Sequence, residues 1–150
     1  MKKALAIFTA LFLTVGAYAQ IVTPVKWAYA AKRTSPTEVT VFLKATMDNG
    51  WHIYSQHLKE GGPIKTAFTF AKSKDYTLVG TVSEPKPETR FEKSFGMDVS
   101  FFEKEVIFQQ KIKLKSPKVT AIKGQLEYMT CNDSKCLPPD DVNFNIPLGK

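Results

Sequence analysis

The chain has 150 residues, of which 43% are hydrophobic, and it carries a formal net charge of +7 at neutral pH. This length suits a single domain with its own core. The basic residues are scattered rather than gathered in runs, which argues against a nucleic-acid-binding surface. After the N-terminus no apolar run approaches the length of a membrane span, so no stable membrane insertion is expected.

The N-terminus has the three parts of a secretory signal peptide. Lys2 and Lys3 form a charged start, residues 4–15 form an apolar stretch, and Ala-Tyr-Ala at 17–19 matches the cleavage rule. The apolar stretch is too short to span a membrane comfortably. The sequence therefore predicts an exported protein that is cleaved after Ala19, with residues 20–150 forming one domain.

The first strand signal lies at residues 39–46, where apolar and polar side chains alternate as in a half-buried strand. Asp-Asn-Gly at 48–50 predicts a tight hairpin turn. In the strand after this turn, Ile53 is expected on one face, and His52 and Tyr54 on the other. Glycine and proline at 59–63 then predict a loop.

The remaining strand candidates are short. They are residues 66–71, 76–82, 99–114, 119–122, 125–130 and 142–146. Two prolines within 83–87 predict a connection or an edge. The long stretch 99–114 fits one bent strand or two strands joined near Glu103 and Lys104, and Gly124 separates two further candidates. No convincing amphipathic helix follows the signal peptide. Many short strands predict an all-β, immunoglobulin-like β-sandwich, with a small barrel as the alternative.

The sequence contains two cysteines, Cys131 and Cys136, which are followed by Leu-Pro-Pro. Outside the cytosol such a close pair is expected to be oxidised. The prolines oppose a helix here, so no helix N-terminus lowers the thiol pKa as it does in a Cys-x-x-Cys site. Lys135 would favour a thiolate at Cys136, and Asp133 would oppose it. The spacing alone leaves open a structural disulfide or a redox pair that relays electrons from a stronger reductant.

Residues 128–139, Tyr-Met-Thr-Cys-Asn-Asp-Ser-Lys-Cys-Leu-Pro-Pro, followed by Val-Asn-Phe at 142–144, resemble the end of the N-terminal periplasmic domain of the thiol:disulfide interchange protein DsbD. Further segments fit the same family. They are Gly-Trp-His-Ile-Tyr-Ser at 50–55, Gly-Pro-Ile-Lys-Thr at 62–66, Gly-Thr-Val-Ser-Glu-Pro at 80–85 and Phe-Gly at 95–96. The resemblance covers nearly the whole chain after the signal peptide.

The resemblance implies an immunoglobulin-like sandwich in the periplasm, with the cysteine pair on a hairpin. It implies a thiol–disulfide oxidoreductase that takes electrons from a thioredoxin-like domain and passes them to periplasmic partners. By analogy, Cys136 forms the mixed disulfide with a partner and Cys131 resolves it. No cofactor is expected.

The resemblance also implies a shield over the cysteine pair. Phe95, or otherwise Phe91, is expected to cover it until a partner docks, and Tyr54 and His52 are expected to line the site. Two features depart from the family pattern. The best-known member has one more residue between its cysteines, and this chain ends at Lys150 without the membrane carrier and thioredoxin-like domain that usually follow. A membrane electron donor is therefore expected in trans.

Three other interpretations compete with the redox relay. A copper site would use histidine and sulfur ligands from His52, His57, Met47, Met97, Met129 and the cysteines, but packing or surface histidines are favoured, and no metal is expected. A glycan-binding or adhesion module with a structural disulfide would use the strand aromatics, which fit core packing better. These aromatics are Trp51, Phe68, Phe70, Phe101, Phe102 and Phe108. Hydrolysis by the acidic pairs at 103/105 and 140/141 lacks a partner His or Ser.

Overall fold

The computed structural model of the protein describes residues 22–149. The predicted signal peptide and its cleavage site lie outside this part. Every regular element in residues 22–149 is a β-strand. The strands are β1 (Val25–Ser35), β2 (Glu38–Met47), β3 (His52–Tyr54), β4 (Ala67–Phe70), β5 (Tyr76–Ser83), β6 (Glu88–Glu92), β7 (Met97–Glu103), β8 (Glu105–Leu114), β9 (Ala121–Tyr128), β10 (Thr130–Cys131) and β11 (Asp140–Pro147). Within the same residues no helix has the length and apolar character needed to cross a membrane.

The strands form three antiparallel sheets. Sheet I has the order β1-β2-β8-β5, sheet II the order β10-β3-β7-β6, and sheet III the order β11-β9-β4. One large buried cluster, the main core, takes side chains from all three sheets. Sheets II and III therefore form the layer opposite sheet I. The predicted all-β, immunoglobulin-like sandwich is confirmed.

The centre of the main core comes from strands with strict alternation. Along β8 exposed and buried residues alternate at every position, because successive side chains of a strand point to opposite faces. Phe108 is fully buried there. Its ring centroid lies 4.9 Å from that of Phe68 and 5.8 Å from that of Phe102, so it links sheet I to sheets III and II. Truncating such a side chain costs about 3–5 kcal/mol, which makes Phe108 an anchor of the sandwich.

Sheet II is buried on both faces at β3, one of its inner strands. Ile53 is fully buried in the main core, whereas Tyr54 is buried on the opposite face. This second face carries a smaller cluster, called here the second cluster. Its buried members are Tyr54, Val99, Phe101 and Cys131. The predicted opposite orientation of Ile53 and Tyr54 is confirmed, and sheet II separates the main core from the cysteine site.

The Asp-Asn-Gly turn forms, but the predicted hairpin is wrong. Gly50 has a φ of 81°, and the Trp51 N–H donates to the Asp48 carbonyl at 3.0 Å. However, β2 pairs with β1 and β8, while β3 pairs with β10 and β7. Because both edges of β2 are occupied, β3 has no edge to pair with. The turn instead passes the chain from sheet I to sheet II.

The stretch 99–114 forms two strands, which confirms the second of the two predicted alternatives. β7 belongs to sheet II and β8 to sheet I. Lys104 lies between them with a φ of 62°, in the left-handed region that residues other than glycine adopt uncommonly. This single residue lets the chain leave one layer and enter the other.

Three segments differ from the sequence expectation. β1 and β6 are strands that the sequence analysis did not predict. The two candidates on either side of Gly124 are one continuous strand, β9, with Gly124 in its interior. In the register of sheet III, Gly124 lies between Phe70 and Phe144. The Phe144 ring, whose centroid is 5.3 Å from that of Phe70, and the Thr69 carbonyl oxygen occupy the space that a side chain at position 124 would need.

Candidate functional site

The cysteine pair closes a tight loop at the end of β10. The structure joins Cys131 and Cys136 by a disulfide with an S–S distance of 2.00 Å. Between them, the Asn132 N–H donates to the Lys135 carbonyl at 2.9 Å. The Asn132 side-chain oxygen accepts from the backbone N–H groups of Ser134 and Lys135 at 2.9 and 2.8 Å. This arrangement is an Asx turn, so the residues of the loop themselves hold the cysteines together.

The two cysteines differ in exposure. Cys131 is 2% exposed and belongs to the second cluster, whereas Cys136 is exposed. Cys131 is anchored because its strand pairs with β3, where it lies opposite His52. The Thr130 hydroxyl also donates to the His52 carbonyl at 2.8 Å. Cys136 is therefore the exposed member of the disulfide, and Cys131 is the buried one.

The disulfide lies on a cleft with a volume of about 660 Å³. Its walls come from β3, from β6 and from two loops. The first is residues 93–96, called here the cap loop, and the second is the cysteine loop, residues 132–135. Three half-buried side chains and Phe95 pack against the second cluster; the three are Leu58, Met97 and Met129. Most side chains that line the cleft are thus polar or charged, and the apolar second cluster lies beside it.

The two phenylalanines that the sequence proposes as shields occupy different environments. Phe95 is half-buried and packs against the cluster that contains Cys131. Phe91 borders the cleft but is 61% exposed. In the register of β6 and β7 it lies opposite Asp98, while its neighbour Arg90 lies opposite buried Val99. The side chain of Phe91 therefore belongs to the face of sheet II that does not carry Cys131.

His52 and Tyr54 both line the cleft and contact each other. The His52 Nε2 lies 3.2 Å from the Tyr54 hydroxyl. The imidazole also packs edge-on against Phe101, with ring centroids 5.3 Å apart. Residues two apart on a strand share one face, which explains why this pair meets above the second cluster. The structure therefore brings His52, Tyr54, Phe95 and the disulfide together, as the resemblance implies.

Arg90 is a residue of the cleft that the sequence analysis missed. It starts on β6, two strands away from β3, and its guanidinium lies 4.4 Å from the centroid of the Phe101 ring. Its Nη2 reaches 3.5 Å from the His52 Nδ1. Its Nε is 2.5 Å from a Glu92 carboxylate oxygen, and its Nη1 is 3.5 Å from Glu103. The strand pattern of 88–92 gave no signal for this, because the contact depends on strand order.

These surroundings change the acidity of the two ring side chains. Burial, followed by the positive charge of Arg90, lowers the pKa of His52, although Glu92 and Asp133 oppose this shift. Burial, with a further contribution from Glu92, raises the pKa of Tyr54 to about 12. At neutral pH the imidazole is therefore neutral and the tyrosine keeps its proton.

The buried imidazole predicts a specific pH dependence of stability. The free energy of unfolding should fall as the pH decreases from about 7 to about 5, and it should fall less in His52→Gln. The unfolded imidazole has a pKa of about 6.5, whereas the folded one titrates lower. Below the unfolded pKa the unfolded chain binds a proton that the folded protein does not, so stability is lost. Urea unfolding at both pH values measures this slope.

The matched control for this experiment is His57→Gln. His57 is exposed and lies outside the strands, so this variant should keep the wild-type slope. Carboxylates that do not interact with His52 contribute equally to all three proteins and cancel in the comparison. Equal slopes for wild type and His52→Gln would contradict the assignment of a neutral, buried His52.

The structure also shows where the residues of the three competing interpretations lie. Within residues 22–149 no group of three or more His, Cys, Asp or Glu side chains is arranged to hold a metal. Of the strand aromatics, Phe101, Phe102 and Phe108 are buried, and the other three pack half-buried against the main core. The acidic residues are dispersed: Glu103 faces Arg90, and Glu105 pairs with Lys44 at 2.6 Å.

Comparison with known proteins identifies the family. The family described as thiol:disulfide interchange protein DsbD, N-terminal, matches residues 19–147. A search of curated protein sequences finds no significant match.

Three solved structures share the fold. The N-terminal periplasmic domain of ScsB from Proteus mirabilis has a TM-score of 0.56 at 21% identity, covering 83% of this chain and 45% of that one. The reduced DsbD N-terminal domain of Neisseria meningitidis has a TM-score of 0.52 at 20% identity, covering 81% and 83%. A complex of DsbD and PilB N-terminal domains from the same organism has a TM-score of 0.54 at 18% identity, covering 84% and 87%. This chain therefore spans less than half of the ScsB chain but most of the two DsbD chains. The family match extends over both the strands and the cysteine loop, and on that basis the chain belongs to the family of DsbD N-terminal domains.

Proposed function

We propose that this domain is a periplasmic electron relay that exchanges its Cys131–Cys136 disulfide with thioredoxin-like proteins. The observation that carries the proposal is the asymmetry of the pair: an exposed Cys136 is bonded to a buried Cys131 in a cleft that Phe95 borders. A purely structural disulfide has no need of one exposed sulfur beside a cleft. Family membership supports the thiol–disulfide chemistry.

In the proposed reaction a thiolate of the reduced partner attacks the Cys136 sulfur. The Cys131–Cys136 bond breaks, its electron pair goes to Cys131, and the partner becomes linked to Cys136 by a mixed disulfide. A second thiol of the partner then attacks its own linked sulfur and releases Cys136 as a thiolate. The partner ends as a disulfide and this domain as a dithiol, which has taken up two protons. In the reverse sequence Cys136 attacks an acceptor disulfide and Cys131 resolves the intermediate.

Partners of this kind must reach the cleft past the cap loop. Phe95 is proposed as the shield, and His52 and Tyr54 as lining residues. The DsbD N-terminal domain of Neisseria meningitidis forms a complex with another protein domain, which supports recognition of a protein rather than a small thiol. A membrane electron donor is proposed as the source of the electrons.

Variants of the two cysteines test the relay. Cys131→Ser leaves Cys136 without its resolving partner, so this variant should accumulate mixed disulfides in cell envelopes. The adducts should disappear with dithiothreitol, and mass spectrometry should identify proteins with a Cys-x-x-Cys motif. Cys136→Ser is the matched control, because its remaining thiol is buried. Equal adduct formation by both variants, or adducts with neither, would contradict the proposal.

A further inference from the structure

The cysteine site contains a buried polar chain that thiol–disulfide exchange by itself does not require. Arg90 contacts His52, and His52 contacts Tyr54. All three side chains line the cleft that contains the disulfide. The question is which way the protons of this chain point.

The donors and acceptors determine this direction. A guanidinium has only N–H donors, so the His52 Nδ1 that faces Arg90 must present its lone pair. A neutral imidazole carries one proton, which must then lie on Nε2. Nε2–H therefore donates to the Tyr54 oxygen at 3.2 Å. The hydroxyl proton of Tyr54 is left pointing away from His52.

Tyr54 lies on the same face of sheet II as Cys131. Cys131 is directly opposite His52 in the register of β10 and β3, and Tyr54 is two residues farther along the same face. Diagonal neighbours of this kind are within reach of long side chains. Tyr54 and Cys131 also pack in the same buried cluster. The nearby hydroxyls of Thr66 and Thr130 are already donated to the carbonyls of Tyr54 and His52.

We propose that Arg90, His52 and Tyr54 form a directed hydrogen-bond chain that presents the Tyr54 hydroxyl proton to the Cys131 sulfur. When an incoming thiolate bonds to Cys136, the electron pair of the broken bond makes Cys131 a thiolate in a buried position. Burial disfavours that charge, and a hydrogen bond from Tyr54 offsets the penalty. Tyr54 contacts the reacting sulfur, whereas Arg90 and His52 are positioning residues.

The charges around the cleft explain why a hydrogen bond is needed. Three cations and two anions line it, and a third anion, Glu103, pairs with one of the cations; the lining residues are Arg90, Lys93, Lys135, Glu92 and Asp133. The guanidinium of Arg90 is paired with two of these carboxylates, and the Lys135 ammonium lies over the Trp51 ring, 5.9 Å from its centroid. Formal charge therefore nearly cancels at the site. The net charge of the site therefore does little to stabilise a thiolate at Cys131, and a directed hydrogen-bond donor supplies this stabilisation.

The test measures the Cys131 thiol in the Cys136→Ser background, by thiolate ultraviolet absorbance against pH. Tyr54→Phe keeps the ring and removes only the donor. It should raise the pKa of the Cys131 thiol by about one unit. In the protein with both cysteines it should slow reduction by dithiothreitol roughly threefold, since a thiol with a higher pKa is a poorer leaving group. Arg90→Gln should raise the same pKa by a smaller amount.

The matched control is Arg33→Gln, which removes the same charge from an exposed residue on sheet I. It should change neither quantity. In the Tyr54→Phe background, Arg90→Gln should have no further effect, because Arg90 acts through the tyrosine. An unchanged thiol pKa in Tyr54→Phe would overturn the proposal. So would an Arg90→Gln effect that persists without the tyrosine hydroxyl, which would mean that Arg90 acts by charge alone.

The inference rests on the proposed function only for its biological use, and the two can fail separately. The thiol pKa is measured without any protein partner. A pKa shift in Tyr54→Phe together with no partner capture by Cys131→Ser would refute the relay and retain the hydrogen-bond chain. Partner capture with an unshifted pKa would retain the relay and refute the chain.

Discussion

Replacing Gly124 with alanine should lower the midpoint of thermal unfolding by roughly 10 °C or more. A Cβ at this position would lie 2.4 Å from the Phe144 ring and 2.4 Å from the Thr69 carbonyl oxygen. The carbonyl belongs to β4, the neighbouring strand of sheet III, so neither contact can be relieved by rotating one flexible side chain. Overpacking of this kind costs about 3 kcal/mol or more. Thermal unfolding followed by circular dichroism measures the loss.

Gly62→Ala is the matched control for Gly124→Ala. A Cβ on Gly62 would meet the Met97 sulfur at 3.3 Å, and a methionine side chain adapts easily. Neither glycine has a positive φ, so the two substitutions differ in packing rather than in backbone strain. Gly62→Ala should shift the midpoint by only a few degrees. Similar losses for both variants would show that the phenyl ring and the carbonyl do not make Gly124 special.

Replacing Phe95 with alanine should speed reduction of the disulfide by dithiothreitol about tenfold. Fully burying a phenylalanine contributes about 1.5–3 kcal/mol, so the half-buried Phe95 holds the cap loop with about half of that. Losing about 1.4 kcal/mol shifts the equilibrium between closed and open cleft by a factor of about ten. Reduction of Cys131–Cys136 follows the open fraction. Stopped-flow or quenched alkylation measures the rate.

Phe91→Ala is the matched control for Phe95→Ala. Phe91 borders the same cleft but is 61% exposed, so its removal should leave the rate within about twofold, since little apolar area returns to water. The two substitutions remove the same side chain from positions four residues apart. If Phe91→Ala accelerates reduction as much as Phe95→Ala, or if neither does, the assignment of Phe95 as the shield is wrong.

Local sequence carries much of this fold. The alternation along residues 39–46 and within 99–114 predicts β2 and β8, because a half-buried strand requires that period. The Asp-Asn-Gly turn also forms at its predicted place. Its partner strand does not, because pairing depends on which edges are free, and β1 and β8 occupy both edges of β2. The prediction of two strands around Gly124 was wrong for a similar reason: the Phe144 ring and the Thr69 carbonyl oxygen, which lie on neighbouring strands, require a glycine inside β9.

Some features of the candidate site also follow from local sequence, whereas others depend on strand pairing. The cysteine loop is local, and the Asn132 side chain that organises it lies between the two cysteines. Thr130 and His52, in contrast, are joined by a hydrogen bond between paired strands across 78 residues of separation, and the next residue, Cys131, lies opposite His52. Arg90 is on β6 and His52 is on β3, and only β7 lies between these two strands. The arginine side chain is long enough to cross β7 and reach His52. No local pattern contains that information.

By itself, the sequence determined the all-β class and the position of a closely spaced cysteine pair in a recognisable family motif, and it predicts an N-terminal secretory signal. These follow from composition, period and spacing, which are properties of neighbouring residues. Only the tertiary structure decided that Cys131 is buried and Cys136 exposed, that Phe95 rather than Phe91 packs against the pair, and that Arg90 completes the cleft. Those facts depend on which strands pair and which face each residue takes, and pairing is set by the free energy of the whole core.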